Sequence, residues 1–320
     1  MATYKGVKGV KVETKASDPT ASEAIGTVWY NTPGDALKYA IQSAGVWASG
    51  GTMNTARFEL GGCGLQTAGL VFGGGVPYKT VTESYNGSTW TETGDLNTER
   101  AGPGGAGTNT AGLAFGGNNP AGVKLDVTET FNGSAWTEVG DLNTARSSAS
   151  GAGITTAAIV AGGHIAPAYT AFVETWNGSS WTEVADLNAA RGFAAMATQG
   201  TTTASLFFGG QPGPGVANES YNGTSWTELA DLNTGPKTRL GGAGTQTDAV
   251  GFGGDGSLAA TETWNGTSWT ETTNMATGRG DLTGFGTGSL ALAAGGRPPT
   301  TGATEEWTNP VYTIKTVTVS

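Results

Sequence analysis

Residues 70–100 read LVFGGGVPYKTVTESYNGSTWTETGDLNTER, and the whole stretch is punctuated for short β-strands. The apolar run LVF stops at a diglycine, as expected of a strand buried on both faces. TESY and STWTE alternate, and between them stands Asn86-Gly87. Asn-Gly signals a tight hairpin, because a type I′ turn needs φ > 0 at both central residues. In Glu83-x-Tyr85 and Trp90-x-Glu92 the acid and the ring lie two apart, hence on one face of their strand. After Arg100 a Gly/Ala-rich segment, AGPGGAGTNT, opens the next unit.

The unit returns six times. Its diglycines are Gly73-Gly74, Gly116-Gly117, Gly162-Gly163, Gly209-Gly210, Gly253-Gly254 and Gly295-Gly296, spaced 42–47 residues apart. Each is followed by Glu-x-aromatic, at Glu83/Tyr85, Glu129/Phe131, Glu174/Trp176, Glu219/Tyr221, Glu262/Trp264 and Glu305/Trp307. Five residues on comes a second aromatic: Trp90, Trp136, Trp181, Trp226, Trp269 and, in a degenerate last copy, Tyr312. Arg57, Arg100, Arg146, Arg191 and Arg279 open the units; Lys237 takes that place in the fifth, with Arg239 displaced by two.

Four antiparallel strands in about 45 residues make a propeller blade, so the fold class is all-β. The 55 glycines argue the same way, since each Gly inside a helix costs about 1 kcal/mol relative to Ala. Six copies favour six blades. Trp47 and the following MNTAR imitate the end of a preceding blade, so an N-terminal strand is expected to complete the last sheet and leave no open edge. The alternative count is seven, with residues 7–47 folding as a degenerate blade.

Diglycine, aromatic, Trp and an opening Arg, in that order, resemble the kelch repeat over roughly residues 50–313. The resemblance implies a kelch-type propeller that binds partners. Residues 26–39, GTVWYNTPGDALKY, read as a hairpin around Pro-Gly-Asp and resemble a segment near the N-termini of bacteriophage tail-fibre and other virion proteins. The expected organisation is a basic arm and linker (1–27), a hairpin with closing strands (28–49), the propeller (50–313) and a C-terminal strand extension (314–320). That last strand, in VYTIKTVTVS, and the N-terminal strands need pairing partners, either on another subunit or in each other.

One Cys (Cys63) and one His (His164) exclude a disulfide framework and a structural zinc site. The copper oxidase among kelch-like propellers needs Cys, Tyr and two His, so that role does not carry over; no cofactor and no metal is expected. A net charge of −10 argues against nucleic acid. No signal peptide and no apolar span is read in the chain, so the expectation is synthesis in a host cytoplasm, no membrane insertion and a place in the virion. Lys5, Lys8, Lys11 and Lys15 against Glu13 make the first residues basic, an assembly arm for other virion proteins or for copies of the same chain.

Acids that recur in every copy are structural expectations: the opening Arg or Lys of each unit pairs with a repeated Glu or bonds blade carbonyls. Asp-Leu-Asn, at Asp95, Asp141, Asp186 and Asp231, reads as the turn into the next blade. The five Asn-Gly-Ser/Thr triplets read as hairpin turns rather than glycosylation sites. Their likeness to the Asp-box of sialidases is to a turn, not to an active site.

Specialisation is expected where the copies differ, in the loops after the diglycines, which all leave one face. Tyr78, Lys79, Asn119, Lys124, Asp126, His164, Tyr169, Phe172, Gln211 and Arg297 form the candidate contact surface, for a host surface glycan or protein. The functional expectation is a non-enzymatic structural or adhesion component of a phage-like virion. The alternatives are a cytoplasmic kelch scaffold for a protein partner and, behind it, a glycan-active enzyme.

Overall fold

A computed structural model of the chain describes residues 12–19, 27–42, 44–75, 77–213, 215–235, 237–309 and 312–317. Lys5, Lys8 and Lys11 of the expected arm lie outside them. Among the described residues the helical content is one 3-10 turn, Asp255–Ser257, and no helix is long and apolar enough to cross a membrane. The strands form seven four-stranded sheets. The chain divides into two compact units, Trp47–Thr308 and Met1–Val46 with Asn309–Ser320.

The larger unit holds six sheets. Sheet I runs Gly61–Leu65, Ala68–Phe72, Thr82–Tyr85 and Trp90–Glu92, each strand antiparallel to the one before. Sheets II to V repeat it, beginning at Gly104–Gly107, Ser150–Ile154, Ala195–Met196 and Gly241–Gly244. Sheet VI takes Thr283–Gly286, Leu290–Ala294 and Thr304–Thr308 from the end of the chain and Val46–Ser49 from its beginning. The fourth-strand position of sheet VI is therefore filled from the N-terminal side. That is the N-terminal closing strand expected from Trp47; Tyr312, read as the second aromatic of the last copy, lies in a strand of the other unit, and the larger unit ends at Thr308 where the propeller is expected to run to residue 313. The spacing from Trp307 to Tyr312 imitates the repeat, but no Asn-Gly stands between them to turn the chain back.

The repeated residues explain one another. Each opening cation has its side chain in a buried ion pair with the Glu of its own sheet: Arg57–Glu83 (2.9 Å), Arg100–Glu129, Arg146–Glu174, Arg191–Glu219 (2.8 Å), Lys237–Glu262 (3.0 Å) and Arg279–Glu305. The guanidinium also donates to its own sheet's carbonyls, as Arg100 does to Gly116 and Val127. In five units the Asn of the preceding blade-to-blade turn donates through main chain and side chain to the same Glu, as Asn97 does to Glu129, and in the sixth Ala276 donates to Glu305 by its main chain alone. Burial pulls the Arg57, Arg100, Arg146, Arg191 and Lys237 pKa values down, opposed by these carboxylates.

The diglycine serves the neighbouring sheet. Its second N–H donates to the carbonyl of the next opening cation: Gly74 to Arg100, Gly117 to Arg146, Gly163 to Arg191, Gly210 to Lys237, Gly254 to Arg279 and Gly296 to Arg57. The last of these closes a circle. Both glycines have left-handed φ (64° and 104° at Gly116 and Gly117), and a Cβ on Gly116 would sit 2.5 Å from the Arg146 oxygen.

The Asn-Gly turns depart from the expected type I′ form. Tyr85 pairs with Trp90 across a four-residue loop in which Gly87 (φ 91°) is left-handed and Asn86 is not. The Asn86 Oδ1 accepts the N–H groups of Ser88 and Thr89, so the side chain shapes the turn.

Outer tryptophans link neighbouring sheets. Trp136 Nε1 donates to Thr82 Oγ1 and Trp181 to Thr128, Trp90 to Thr304 and Trp47 to Thr261, each at 3.0 Å. Two junctions break the pattern. From sheet III to sheet IV, Val173 replaces the Thr and Trp226 Nε1 donates to the Ala185 carbonyl (3.1 Å). From sheet IV to sheet V, Asn218 replaces it and, among the described residues, both Trp269 Nε1 and Asn218 Oδ1 are buried without a partner. Asn218→Thr should pair the indole N–H and remove the orphaned Oδ1 while giving up the Asn218 Nδ2 bond to the Ala230 carbonyl (3.1 Å), a net gain of about 1 kcal/mol that raises the Tm in a calorimetric scan by roughly 2–4 °C.

The smaller unit is a separate sheet: Glu13–Lys15, Val28–Asn31, Ala36–Gln42 and Tyr312–Thr316, in that order, with the first pair parallel and the others antiparallel. The C-terminal strand thus finds its partner in the same chain. Asp18 accepts from Trp29 Nε1 (3.1 Å), Asn31 Nδ2 (2.6 Å) and Lys38 Nζ (2.6 Å), tying the linker to the hairpin over a fully buried Trp29. The Lys38 contact leads in holding the Asp18 carboxyl below its usual range.

Candidate functional site

The inner strands of the six sheets are rich in glycine because they crowd one axis and one another. A Cβ on Gly104 would lie 2.2 Å from the Phe115 ring, and one on Gly105 2.7 Å from the Gly62 oxygen. Along the axis runs a cavity of about 120 Å³. One end is bridged by Gln199, whose side chain reaches from sheet IV to the Gly64 carbonyl of sheet I (3.2 Å). It can do so because the hairpin between Arg191 and Phe208 is two residues longer than that between Arg57 and Phe72. Thr198, beside it in the lining, keeps its hydroxyl buried and without a partner.

The other end is the mouth, framed by a closed circle of six main-chain hydrogen bonds. Glu59 N–H donates to Asp281, Asp281 to Arg239, Arg239 to Phe193, Phe193 to Ser148, Ser148 to Gly102 and Gly102 to Glu59, at 2.7–3.0 Å. These six residues stand two after the opening Arg or Lys of each unit. All are left-handed, with φ between 52° and 61°. For five of them that geometry costs of order 1 kcal/mol each, a strain Gly would relieve. A chain with 55 glycines keeps Glu, Ser, Phe, Arg and Asp here, so side-chain chemistry holds these positions.

A second circle surrounds the first, made by the residue after each diglycine: Gly75, Asn118, His164, Gln211, Asp255 and Arg297. Four of these bridge main chain to main chain with the residue after an opening cation, as in Ser147–His164 and Gly280–Arg297. The two circles divide the mouth by chemistry. Sheets V, VI and I bring charge: Arg239 Nη1 holds both oxygens of Asp281 (2.9 and 3.0 Å), and Arg297 Nε donates to Asp281 Oδ2 (2.6 Å). The Arg239 guanidinium lies 4.3 Å from the Phe193 ring centre and that of Arg297 4.1 Å from the Phe58 ring centre. Glu59 is poorly served, with Arg297 at 3.5 Å and Arg239 at 3.6 Å. Burial, and then the Asp281 carboxylate, push its pKa up against Arg297, Arg239 and Lys124.

Sheets II, III and IV bring mostly small and neutral groups, with Lys124 of sheet II the exception. Gly102 and Ser148 leave room, and His164 packs on Tyr169 (5.2 Å), which meets Phe193 edge-on (6.3 Å). Burial and the nearby Lys124 lower the His164 pKa. Beside the mouth a depression of about 400 Å³ is lined by Arg239, Asp255, Asp281 and Arg297 among others.

Of the residues expected on the contact surface, the structure brings His164, Tyr169, Lys124 and Arg297 to this mouth. Tyr78 supports it from behind, its hydroxyl accepting from Asn118 Nδ2 (2.8 Å), and Gln211 joins the outer circle by its main chain to Gly192. Four others serve the frame or stand apart. Lys79 offers its carbonyl to the Arg100 N–H, and Asn119 caps its own loop at Ala121 and Val123. Asp126 is exposed, its carbonyl accepting from Leu142. Phe172 faces Arg146, whose guanidinium is 6.0 Å away and bonds its carbonyl. Glu59, Ser148, Phe193 and Asp281 were not foreseen. The signal lay in the position two after each opening cation, where Glu, Gly, Ser, Phe, Arg and Asp succeed one another in an otherwise repeated frame.

Cys63 sits away from the mouth, 2 % exposed, its pKa pushed up to about 12 by burial. An alkylating reagent at pH 8 should therefore leave the native thiol unmodified and react only through opened molecules. Mass spectrometry of labelled protein checks this, and native labelling as fast as that of unfolded chain contradicts it.

No family model matches this chain, and no curated protein matches it. Among solved structures it is similar to one described as the structure of YjhT, at 13 % identity and a TM-score of 0.65, over 82 % of this chain and 99 % of that one. At that identity the similarity is one of fold: all-β, built of repeated four-stranded sheets.

Proposed function

We propose that the larger unit is a six-bladed kelch-type propeller and that the protein is a non-enzymatic structural or adhesion component of a phage-like virion, binding through the mouth face. The seventh sheet is then a terminal module rather than a blade. One observation carries the reading: repeated residues build the frame, while residues that differ between units gather at one mouth, at the opposite end of the strands from where the chain enters and leaves the ring. Trp47 and Thr308, the ring's first and last residues, occupy the positions that Trp90 and Asn86 hold around the Asn-Gly turn of sheet I. Within this unit the differing residues and the two chain ends thus lie at opposite ends of the strands, an arrangement suited to display. The phage-like hairpin at residues 26–39 supports the particle assignment. Immunogold electron microscopy of purified particles carrying tagged protein tests it: label on the particles is expected, and particles without label overturn it.

A further inference from the structure

The unit Trp47–Thr308 contains ten Lys and Arg residues. Six are consumed in the buried ion pairs that hold the sheets. The other four, Lys79, Lys124, Arg239 and Arg297, all stand on the mouth face, and three of them border the mouth itself. A chain of net charge −10 thus gathers the remaining cations of its ring in one place.

Their bonding is incomplete. Arg297 commits Nε to Asp281 and Nη2 to Glu59, and its Nη1 has no partner among the described residues. Arg239 commits Nη1 to Asp281 and Nε to Asp255, and its Nη2 has none. Among the described residues Lys124 makes no ion pair and no side-chain hydrogen bond, though it is half-buried. The Ser148 hydroxyl, at a strained position of the inner circle, is likewise uncommitted. Three carboxylates share these cations: Asp281 is saturated by both arginines, Asp255 meets Arg239 Nε at 3.4 Å, and Glu59 lies 3.5 and 3.6 Å from Arg297 and Arg239. Each guanidinium lies over a phenylalanine ring, at 4.3 Å for Arg239 and 4.1 Å for Arg297, and is clamped by Asp281, so its free nitrogen is positioned before anything binds.

We infer that the channel mouth binds a carboxylate group, received by the free edges of Arg239 and Arg297 and by Lys124, with Ser148 as a neutral donor. The two oxygens of a carboxylate can take one charge-assisted donor from each guanidinium, Arg239 Nη2 and Arg297 Nη1. Asp281 is a positioning residue that sets the two arginines. Gly102 makes the space through which the ligand reaches Ser148, and His164 and Tyr169 wall its far side. The inference deepens the proposed use of the mouth face but does not depend on the particle assignment, which the labelling of particles tests separately.

Isothermal titration of the full chain at low ionic strength, with succinate in one arm and a capped hexapeptide of Asp and Glu in the other, tests the site. The Asn/Gln counterpart of the peptide is the control. Saturable binding at one site per chain is expected for at least one carboxylate probe and not for the control. Lys124→Met, which breaks no bond of the fold, and Arg297→Gln should each weaken it about tenfold, with Lys124→Met leaving the Tm unchanged. Binding of the peptide alone identifies the source as an acidic segment of a partner protein; binding of succinate alone identifies it as a small dicarboxylate. Absence of saturable binding by both probes, or binding untouched by both substitutions, overturns the inference.

Discussion

Arg100→Met should cost the protein about 3–5 kcal/mol, the loss expected when one member of a buried ion pair is removed and the other stays behind. Both side chains of the Arg100–Glu129 pair are fully buried. With the guanidinium gone, Glu129 keeps the two Asn97 donors and the Thr98 N–H but loses its counter-charge, and the Thr98, Gly116 and Val127 carbonyls lose their donor. Adding Glu129→Gln should recover part of the loss, because a neutral amide needs no counter-charge and its oxygen still accepts from Asn97. Urea titrations of the two single variants and the double variant make the cycle. A double variant as unstable as Arg100→Met alone would place the cost in the unpaired carbonyls rather than in the stranded carboxylate. Lys237 is the internal comparison: its ammonium pairs with Glu262 at 3.0 Å but reaches the Gly251 carbonyl only at 3.5 Å. Lys237→Met should therefore cost less than Arg100→Met, since fewer acceptors are orphaned.

The frame was legible in the amino-acid sequence because its chemistry is reciprocal. An opening Arg, a diglycine and a Glu recurring in fixed order had to serve one another, and they do: the side chain takes the Glu and the main-chain oxygen takes the neighbouring diglycine. Trp47 betrayed the closing strand by the same logic, since its indole meets Thr261 as Trp136 meets Thr82. Tyr312 misled because spacing alone cannot distinguish a strand that turns back from one that leaves. The mouth was only half legible. His164 and Arg297 follow diglycines and announce themselves, whereas Glu59, Ser148, Phe193 and Asp281 are an acid, a hydroxyl, an aromatic and an acid with no common side chain. What unites those four is a backbone state, and a left-handed Phe carries no mark in the sequence. Arg239 was visible as an arginine displaced by two, yet the displacement was its position in the inner circle. Side chains that repeat reveal the frame, and a site built from non-repeating ones on a repeated backbone is found only once the register is counted residue by residue.

Trp47→Ala should cost about 3 kcal/mol, near the lower end for removal of a large aromatic because Trp47 is half-buried. The ring packs on Phe252 (4.9 Å) and Trp307 (5.5 Å), and its N–H reaches Thr261, so one side chain joins sheet V to sheet VI. Trp136 makes the equivalent link, to Phe72 and Thr82, from a strand continuous with the rest of its own sheet. Val46–Ser49 has no such continuity, because its neighbours in sheet VI lie at the far end of the chain. Losing Trp47 therefore weakens a contact and also frees a strand, baring the edge of Thr304–Thr308. Sheet I still grips sheet VI through Gln66 on Ala291 and Trp307, Tyr85 on Glu306 and Gly296 on Arg57, so the inner circles should survive. The expected signature is a lowered Tm and faster alkylation of Cys63, with association that grows with protein concentration as bared edges pair. Trp136→Ala, with no strand to release, should lose comparable stability without the association. Equal association in both variants would mean that the seam is no weaker than any other junction of the ring, and that the two main-chain circles alone hold it shut.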